Sequence, residues 1–370
     1  MKKKRDSGIE LLRIFAMLMV IGVHIFVYGG YFDTAREQSG IVWSSAYFMR
    51  LFFRPAVNIF IIITGYFMVH SPFDLKKSYR RVLSVYGTIL FYSVLLSIIV
   101  LANRTVFETE YTVSVIIGKM LLPLLSQEWY FLTGYILLCL FAPFINISLQ
   151  KITKQEYQIL LIVTTVVMSL WLCLANLDPF WDVLRDSGYD GLFKGKNVFS
   201  FIYIYLVGGY IGLYGKTRKT PQFLYLFGAF FCVVVNYLIW TRFDDLLAYE
   251  DVAMSYANPL VVLTAVFALS FFKDVHFYSK VVNIIASTTI GIYALHELEY
   301  MRDLIWSKFD FSKMDCSNLT TNLIRIAAIM MFIFLAGAMI ELARQLLFMG
   351  IGKAVKKAFP VNSATKKAKN

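Results

Sequence analysis

The chain has 370 residues, of which 58% are hydrophobic and 17% aromatic, and its mean hydropathy is +0.63. These values exclude an ordinary soluble globular domain and predict a polytopic membrane protein. The net charge of +12 does not indicate nucleic-acid binding, because the basic residues concentrate in the polar segments between apolar stretches, as in cytoplasmic loops.

Ten apolar segments predict an all-α bundle of about ten transmembrane helices. They cover residues 9–28, 46–69, 82–102, 129–149, 158–176, 197–214, 222–240, 257–272, 281–300 and 322–349. If the N-terminus is cytoplasmic, the inner segments hold 21 Lys and Arg residues and the outer loops hold 10. This bias predicts two cytoplasmic termini in a multi-pass protein of a bacterial-type cell membrane. We expect one transmembrane domain, residues 1–352, and a basic cytoplasmic tail, residues 353–370.

The first span carries three ionisable residues on one helical face. Around the helix axis His24 lies about 20° from Arg13 and Glu10 about 60° from it, so the three share one face. Such residues cost several kcal/mol inside a membrane unless they face a partner or a wet cavity. We therefore expect a polar stripe from the inner surface to the outer half of the bilayer. Two structural alternatives stay open: a snorkelling pair of Glu10 and Arg13, and a hydrogen bond from His24 to a neighbouring helix.

The second span enters from the outer side and carries two arginines one helical turn apart. Arg50 is close enough to the outer headgroups to snorkel, whereas Arg54 lies deeper and needs an internal partner. Both arginines are candidates for contacting a substrate. Thr64 and Gly65, further along this span, can be explained by close helix packing alone.

The inner loop after the second span ends in a basic cluster that includes Lys77, Arg80 and Arg81. Such a cluster can bind phosphates. The positive-inside rule also predicts it, so both interpretations stay open.

Further polar residues are expected in the outer half of the bilayer. Trp129 opens the fourth span, and His296 lies about as far along the ninth span as His24 lies along the first. Two histidines at one depth can form an acid and base set with nearby carboxylates. The carboxylates near this level are Glu128, Glu297 and Glu299.

Three other features are less specific. Residues 111–125 predict a short re-entrant or interfacial helix. The outer loops 177–196 and 241–256 have a composition that can contact a hydroxylated ligand but is also ordinary for loops. The four cysteines and four histidines have no disulfide or metal-ligand spacing, so we expect no metal.

Four stretches together resemble the membrane-bound acyltransferase 3 family of cell-envelope O-acyltransferases. They are IELLRIFAMLMVIGVH, FFRPAVNIFIIITGYF, EWYFLTGYILLCLFAP and STTIGIYALHELE. The first combines an arginine and a histidine separated by ten residues, and the second is similar to the family's stretch of aromatic residue, serine or threonine, glycine and tyrosine. The four stretches span nearly the whole chain.

The resemblance implies transfer of an acyl group, usually acetyl, from cytoplasmic acetyl-CoA to a hydroxyl of an envelope glycan or lipid-linked sugar. His24 then corresponds to the catalytic histidine and Arg13 to its motif partner. The chain departs from the family pattern at Ser84, where a second arginine is common three residues after one such as Arg81. It departs again at Glu128, where many relatives have histidine, and the esterase-like domain of some members is not expected.

Together these arguments predict a metal-free acetyl transfer with His24 as the general base. The predicted catalytic residues are His24, Arg13 and Glu10, the predicted acetyl-CoA contacts are Arg80, Arg81 and Lys77, and the predicted substrate or oxyanion contacts are Arg54, Arg50, Glu128, Trp129 and His296. A transient acetyl-histidine stays open. The rival hypotheses are a transporter or flippase and a non-catalytic sensing or supply module. Membrane lipid is an expected partner, and homo-oligomerisation is left open.

Overall fold

The computed structural model describes residues 6–38, 40–103, 112–124, 129–175, 195–215, 220–247 and 249–358. Within this part of the chain there is no β-strand, which confirms the predicted all-α bundle. The α-helices are α1 Gly8–Val27, α2 Tyr31–Glu37, α3 Gly40–Phe53, α4 Ala56–Met68, α5 Leu75–Ala102, α6 Val113–Leu121, α7 Tyr130–Leu149, α8 Lys154–Thr165, α9 Leu172–Ala175, α10 Val198–Tyr214, α11 Gln222–Leu247, α12 Tyr249–Ala253, α13 Pro259–Phe272, α14 Lys280–Ala286, α15 Thr289–Glu297, α16 Glu299–Lys308 and α17 Leu319–Ala358. A π-helical stretch, Val166–Trp171, joins α8 to α9, and a 3₁₀ turn, Phe311–Lys313, precedes α17.

The described helices make the chain a multi-pass membrane protein. Six of them, counting α3 and α4 as one span, are long and apolar enough to cross a membrane. The stretch Lys280–Glu297 and the helix after it, bent by 81°, form a seventh if the pair is one span. Helices α10 and α13 are apolar but shorter, and the predicted fifth segment is divided by the π-helical stretch. The count of ten therefore stays a prediction.

Helix α1 lies in the centre of the bundle. It contacts α3, α4, α13, α14, α15 and α17. Its apolar side chains, such as Met17 and Ile21, are buried in the main core. Because so many helices surround it, the polar residues of α1 face protein and internal space, which lowers the cost of keeping them at membrane depth.

Glycines allow α4 and α10 to pack closely. A Cβ atom at Gly65 would collide with the carbonyl oxygen of Tyr205, and one at Gly208 would collide with that of Ile62. Gly212 follows Gly208 after three residues, which is the small-residue spacing that lets membrane helices approach at their backbones. Gly65 of the second span therefore belongs to a packing surface, whereas Thr64 beside it lines a cavity.

A proline positions the start of α5, where the basic cluster lies. Pro143 is inside α7 and cannot donate to the carbonyl of Cys139 four residues earlier. The hydroxyl of Ser78 donates to that carbonyl instead, at 2.5 Å. Asp74 caps the first turn of α5 by accepting from the backbone N–H of Lys77 at 2.9 Å. These contacts fix where Lys77 and Arg81 enter the bundle.

The short helix expected between the third and fourth spans is α6. Its residue Lys119 forms an ion pair with Glu299 at the start of α16, and its carbonyl accepts from Ser93 of α5 at 3.0 Å. The ends of the predicted segment and most of the loop 177–196 lie outside the described residues.

Candidate active site

Two histidines and a glutamate from distant parts of the chain meet in the core. His24 of α1 has its Nδ1 atom 3.1 Å from Nε2 of His296 and 3.2 Å from Oε2 of Glu297, both on α15. All three residues are buried. The contact between His24 and His296 agrees with the expectation that the two histidines lie at the same depth.

The hydrogen bonds indicate which nitrogens carry protons. Nδ1 of His296 is 2.6 Å from the carbonyl oxygen of Ile292, which can only accept, so this nitrogen is the donor. In neutral His296 the other nitrogen, Nε2, is then an acceptor. Nδ1 of His24 faces this acceptor and the carboxylate of Glu297, so it also carries a proton. The lone pair of neutral His24 is consequently on Nε2, which is the nitrogen that can accept a proton from a substrate.

The bend after α15 positions the carboxylate. Glu297 is the last residue of α15, and Leu298 has the extended backbone angles φ −60° and ψ 128°. The next helix leaves at 81°. The sequence places Glu297 beside His296, and this adjacency was the signal that Glu297 belongs to the site. The prediction named it only as a nearby carboxylate.

The neighbouring contacts of the cluster hold Glu297 and α15 in place. The hydroxyl of Tyr28 donates to Oε1 of Glu297 at 3.4 Å, and the guanidinium of Arg302 lies 4.7 Å from the centre of the Tyr28 ring. Trp129 is fully buried and donates from Nε1 to the carbonyl of Ala294 at 3.2 Å. It therefore anchors α15, while Glu128 lies outside the described residues.

A cavity of about 540 Å³ extends from Arg13 and Arg81 towards the cluster. Its lining also includes Val20 on α1, one helical turn before His24, and Tyr293 on α15. The ring of Tyr293 contacts that of His296, with 5.9 Å between the centres. The polar stripe of α1 thus borders the cavity at Arg13 and continues beyond it to His24.

The inner end of this cavity carries two arginines, Arg13 and Arg81, and the charge of Arg13 is neutralised by Glu10. Arg13 donates to both carboxylate oxygens of Glu10, at 2.9 and 3.0 Å. Glu10 is only 2% exposed, so it is paired inside the bundle. Arg81 lines the large cavity and also a smaller one beside it, where Lys77 contributes to the lining. Arg80 is exposed and lines neither.

The two arginines of the second span have different surroundings. Arg50 forms an ion pair with Glu250 at 2.6 Å and lies over the ring of Phe32. Arg54 is buried, with its guanidinium carbon 3.7 Å from the centre of the Tyr256 ring. The burial of Arg54 agrees with the expectation that it lies deeper than Arg50, and the structure adds that the two residues have different partners.

The histidine cluster could also hold a metal ion. One ligand atom each from His24, His296 and Glu297 lies within 4.8 Å of the others. Spacing along the chain could not show this, because the two histidines are 272 residues apart in sequence. The distances of 3.1 and 3.2 Å are equally those of hydrogen bonds.

The chain was compared with known proteins. A family model described as an acyltransferase domain matches residues 6–341. No curated protein and no solved structure matches the chain. The matched region contains α1, the cavity and the histidine cluster, and it covers most of the chain. The protein therefore belongs to the acyltransferase 3 family, as its sequence motifs predicted, and is a membrane acyltransferase.

Proposed function

We propose that this acyltransferase moves an acetyl group from cytoplasmic acetyl-CoA to a hydroxyl of an envelope or surface polysaccharide sugar. The observation that supports this most directly is the orientation of His24. Its Nδ1 is held by Glu297 and His296, at 3.2 and 3.1 Å, so its Nε2 is available as a base. Family membership favours this transferase over a transporter, a flippase or a non-catalytic module.

The donor enters from the cytoplasmic side. Arg81 and Lys77 are at the entrance, which supplies positive charge for the phosphates of coenzyme A, while Arg13 lies further in and is paired with Glu10. The cavity volume of about 540 Å³ is within the range of about 300–1,000 Å³ that is typical of small-molecule sites. Its largely apolar walls suit the pantetheine arm, which carries the acetyl thioester towards His24.

The acceptor reaches the histidine cluster from the outer side. Nε2 of His24 takes the proton of the acceptor hydroxyl as its oxygen attacks the thioester carbonyl. The tetrahedral intermediate collapses, the carbon–sulfur bond breaks, and the coenzyme A thiolate leaves. The proton on His24 then passes to that thiolate. The products are the acetylated sugar and coenzyme A, and the carboxylate of Glu297 stabilises the transient imidazolium.

This mechanism assigns a topology and needs no metal. Both termini lie in the cytoplasm, as the distribution of basic residues predicts. The hydrogen bonds that orient His24 use the same atoms that would bind a metal ion. Chelation with 1,10-phenanthroline should therefore leave transfer unchanged.

The experiment is to incubate the purified protein with radiolabelled acetyl-CoA and an extract of envelope glycans. The wild type should form base-labile labelled ester, and His24→Ala should lose about 10² to 10⁴ in rate. A merely structural hydrogen bond would instead cost on the order of 1 kcal/mol of stability. The matched control is His70→Ala, because His70 is exposed and its ring contacts only the Gly212 carbonyl among the interactions described.

Two outcomes would contradict the proposal. If the wild type neither transfers nor hydrolyses the label, acetyl-CoA is not the donor. If His24→Ala transfers at nearly the wild-type rate while it accumulates normally, His24 is not the base.

A further inference from the structure

Arg54 is a buried cation that no carboxylate among the described residues neutralises. It is 8% exposed, and its Nε atom is buried without a hydrogen-bond partner. Within the described part of the chain, no carboxylate oxygen lies within 4.0 Å of its guanidinium. Three other arginines in membrane helices are paired: Arg13 with Glu10, Arg50 with Glu250 and Arg344 with Glu341.

The surroundings of Arg54 contain further polar atoms without partners. The Tyr256 ring faces the guanidinium at 3.7 Å, and the Tyr256 hydroxyl bonds that of Tyr130 at 2.7 Å. Asn58, one turn along α4, donates to the Tyr256 carbonyl at 2.9 Å. Among the residues that the structure describes, its buried Oδ1 atom nevertheless finds no partner, and the same holds for the hydroxyl of Tyr293. Several buried polar groups near one another thus lack the hydrogen bonds that such groups normally make.

This arrangement is costly for a protein that binds nothing there. A buried charge is normally paired or hydrogen-bonded, because its lost hydration is otherwise not replaced. The aromatic face of Tyr256 compensates only in part, since a cation–π contact contributes about 0.5–2 kcal/mol. An anionic ligand would supply the missing partner, and a guanidinium is well shaped to bind a carboxylate or a phosphate with two hydrogen bonds.

Arg54 lies at the depth of the catalytic cluster. The preceding residue, Phe53, packs its ring against Gly22 and Phe26 of α1, which flank His24 along that helix. Lys196, just before α10, is a further cation beside this region, with its ammonium 5.4 Å from the centre of the Tyr130 ring.

We propose that the acceptor of this acyltransferase is anionic and that Arg54 binds its negative group, a carboxylate or a phosphate. Tyr256 and Tyr130 form the wall of this site, and the ammonium of Lys196 lies against Tyr130. This inference rests on the proposed acetyl transfer for the identity of the ligand as acceptor. The anion site itself can be tested without turnover.

The first experiment measures binding to the purified protein in nanodiscs. The probes are two matched pairs: glucuronate with glucose, and glycerol 3-phosphate with glycerol. The wild type should bind at least one anion about tenfold or more tightly than its neutral counterpart, and the preferred pair distinguishes a carboxylate from a phosphate. Arg54→Gln should lose this preference by about 10- to 100-fold, as expected for hydrogen bonds to a charged group.

Two further variants keep the test interpretable. Arg54→Lys retains the positive charge but not the planar guanidinium that makes two hydrogen bonds, so it should keep part of the preference. Because it keeps the buried charge, it also tests the site if Arg54→Gln misfolds. Arg344→Gln removes the positive charge of another membrane-helix arginine, which Glu341 already pairs and which lies outside the proposed site, and should keep the full preference. Equal binding of the charged and neutral probes by the wild type would overturn the inference, as would an unchanged preference in Arg54→Gln.

A second measurement separates this role from oxyanion stabilisation. We expect Arg54→Gln to retain hydrolysis of acetyl-CoA in the absence of acceptor. An equal loss of hydrolysis and of transfer to charged and neutral acceptors would mean that Arg54 acts on the tetrahedral intermediate instead. If the anion preference is present but no acetyl transfer occurs, the proposed function fails while the anion site stands.

Discussion

Replacing Glu297 by glutamine tests the orientation of His24 without changing the size of the side chain. The amide can turn its NH₂ group towards Nδ1 of His24, which favours the tautomer with the proton on Nε2, and it cannot stabilise the imidazolium. Nδ1 retains one acceptor, Nε2 of His296 at 3.1 Å. The loss should therefore be smaller than that from removing His24.

The size of the effect follows from the bond that is lost. The carboxylate of Glu297 lies 3.2 Å from Nδ1 of His24 and forms an ion pair with it once His24 is protonated in the reaction. Polar interactions with a charged group contribute about 1.5–3 kcal/mol. At about 1.4 kcal/mol for each factor of ten, Glu297→Gln should lower kcat about 10- to 150-fold.

The assay follows release of the coenzyme A thiol by the purified protein with acetyl-CoA and envelope glycan. The matched control is Glu299→Gln, two residues away, because Glu299 pairs with Lys119 and with Arg302 at 3.8 Å. It should stay within about threefold of the wild type. A Glu297→Gln rate within about threefold, together with an inactive His24→Ala, would refute the orienting role of the carboxylate.

Arg81→Ala should raise KM for acetyl-CoA about tenfold or more, because Arg81 lines the cavity, whereas Arg80→Ala at the exposed position should change it little. An unchanged KM in both variants would return the cluster to a role in topology alone. Gly208→Ala should lower the free energy of unfolding by about 1–3 kcal/mol, since the new methyl group meets backbone. Gly87→Ala, with no atom within 4 Å of its Cβ position, should not. Reporter fusions at the C-terminus and within residues 177–196 should lie on opposite sides of the membrane, and a shared side would contradict the predicted topology.

Part of this protein follows from the sequence alone. Apolar segments of about twenty residues can satisfy their backbone groups in lipid only as helices, so composition and segment length suffice for the fold class. Helical periodicity aligns Arg13 with His24 because both residues belong to one rigid helix. The motifs also led to the acyltransferase family, which the match over residues 6–341 confirms.

The site itself depends on contacts between helices. His24 contacts His296 and Glu297, although His24 and His296 are 272 residues apart in sequence. The spacing of residues along the chain does not show which faces of distant helices contact each other. The sequence predicted that Arg54 lies deeper than Arg50, but it could not show which partners the two arginines meet, for the same reason. Arg50 pairs with Glu250 and Arg54 lies against the Tyr256 ring, although the two arginines are one helical turn apart in the same stretch of sequence. Helix packing decides which charges are neutralised inside the protein and which remain for a ligand, because Coulomb and hydrogen-bond energies depend on distances between groups that only the folded chain brings together.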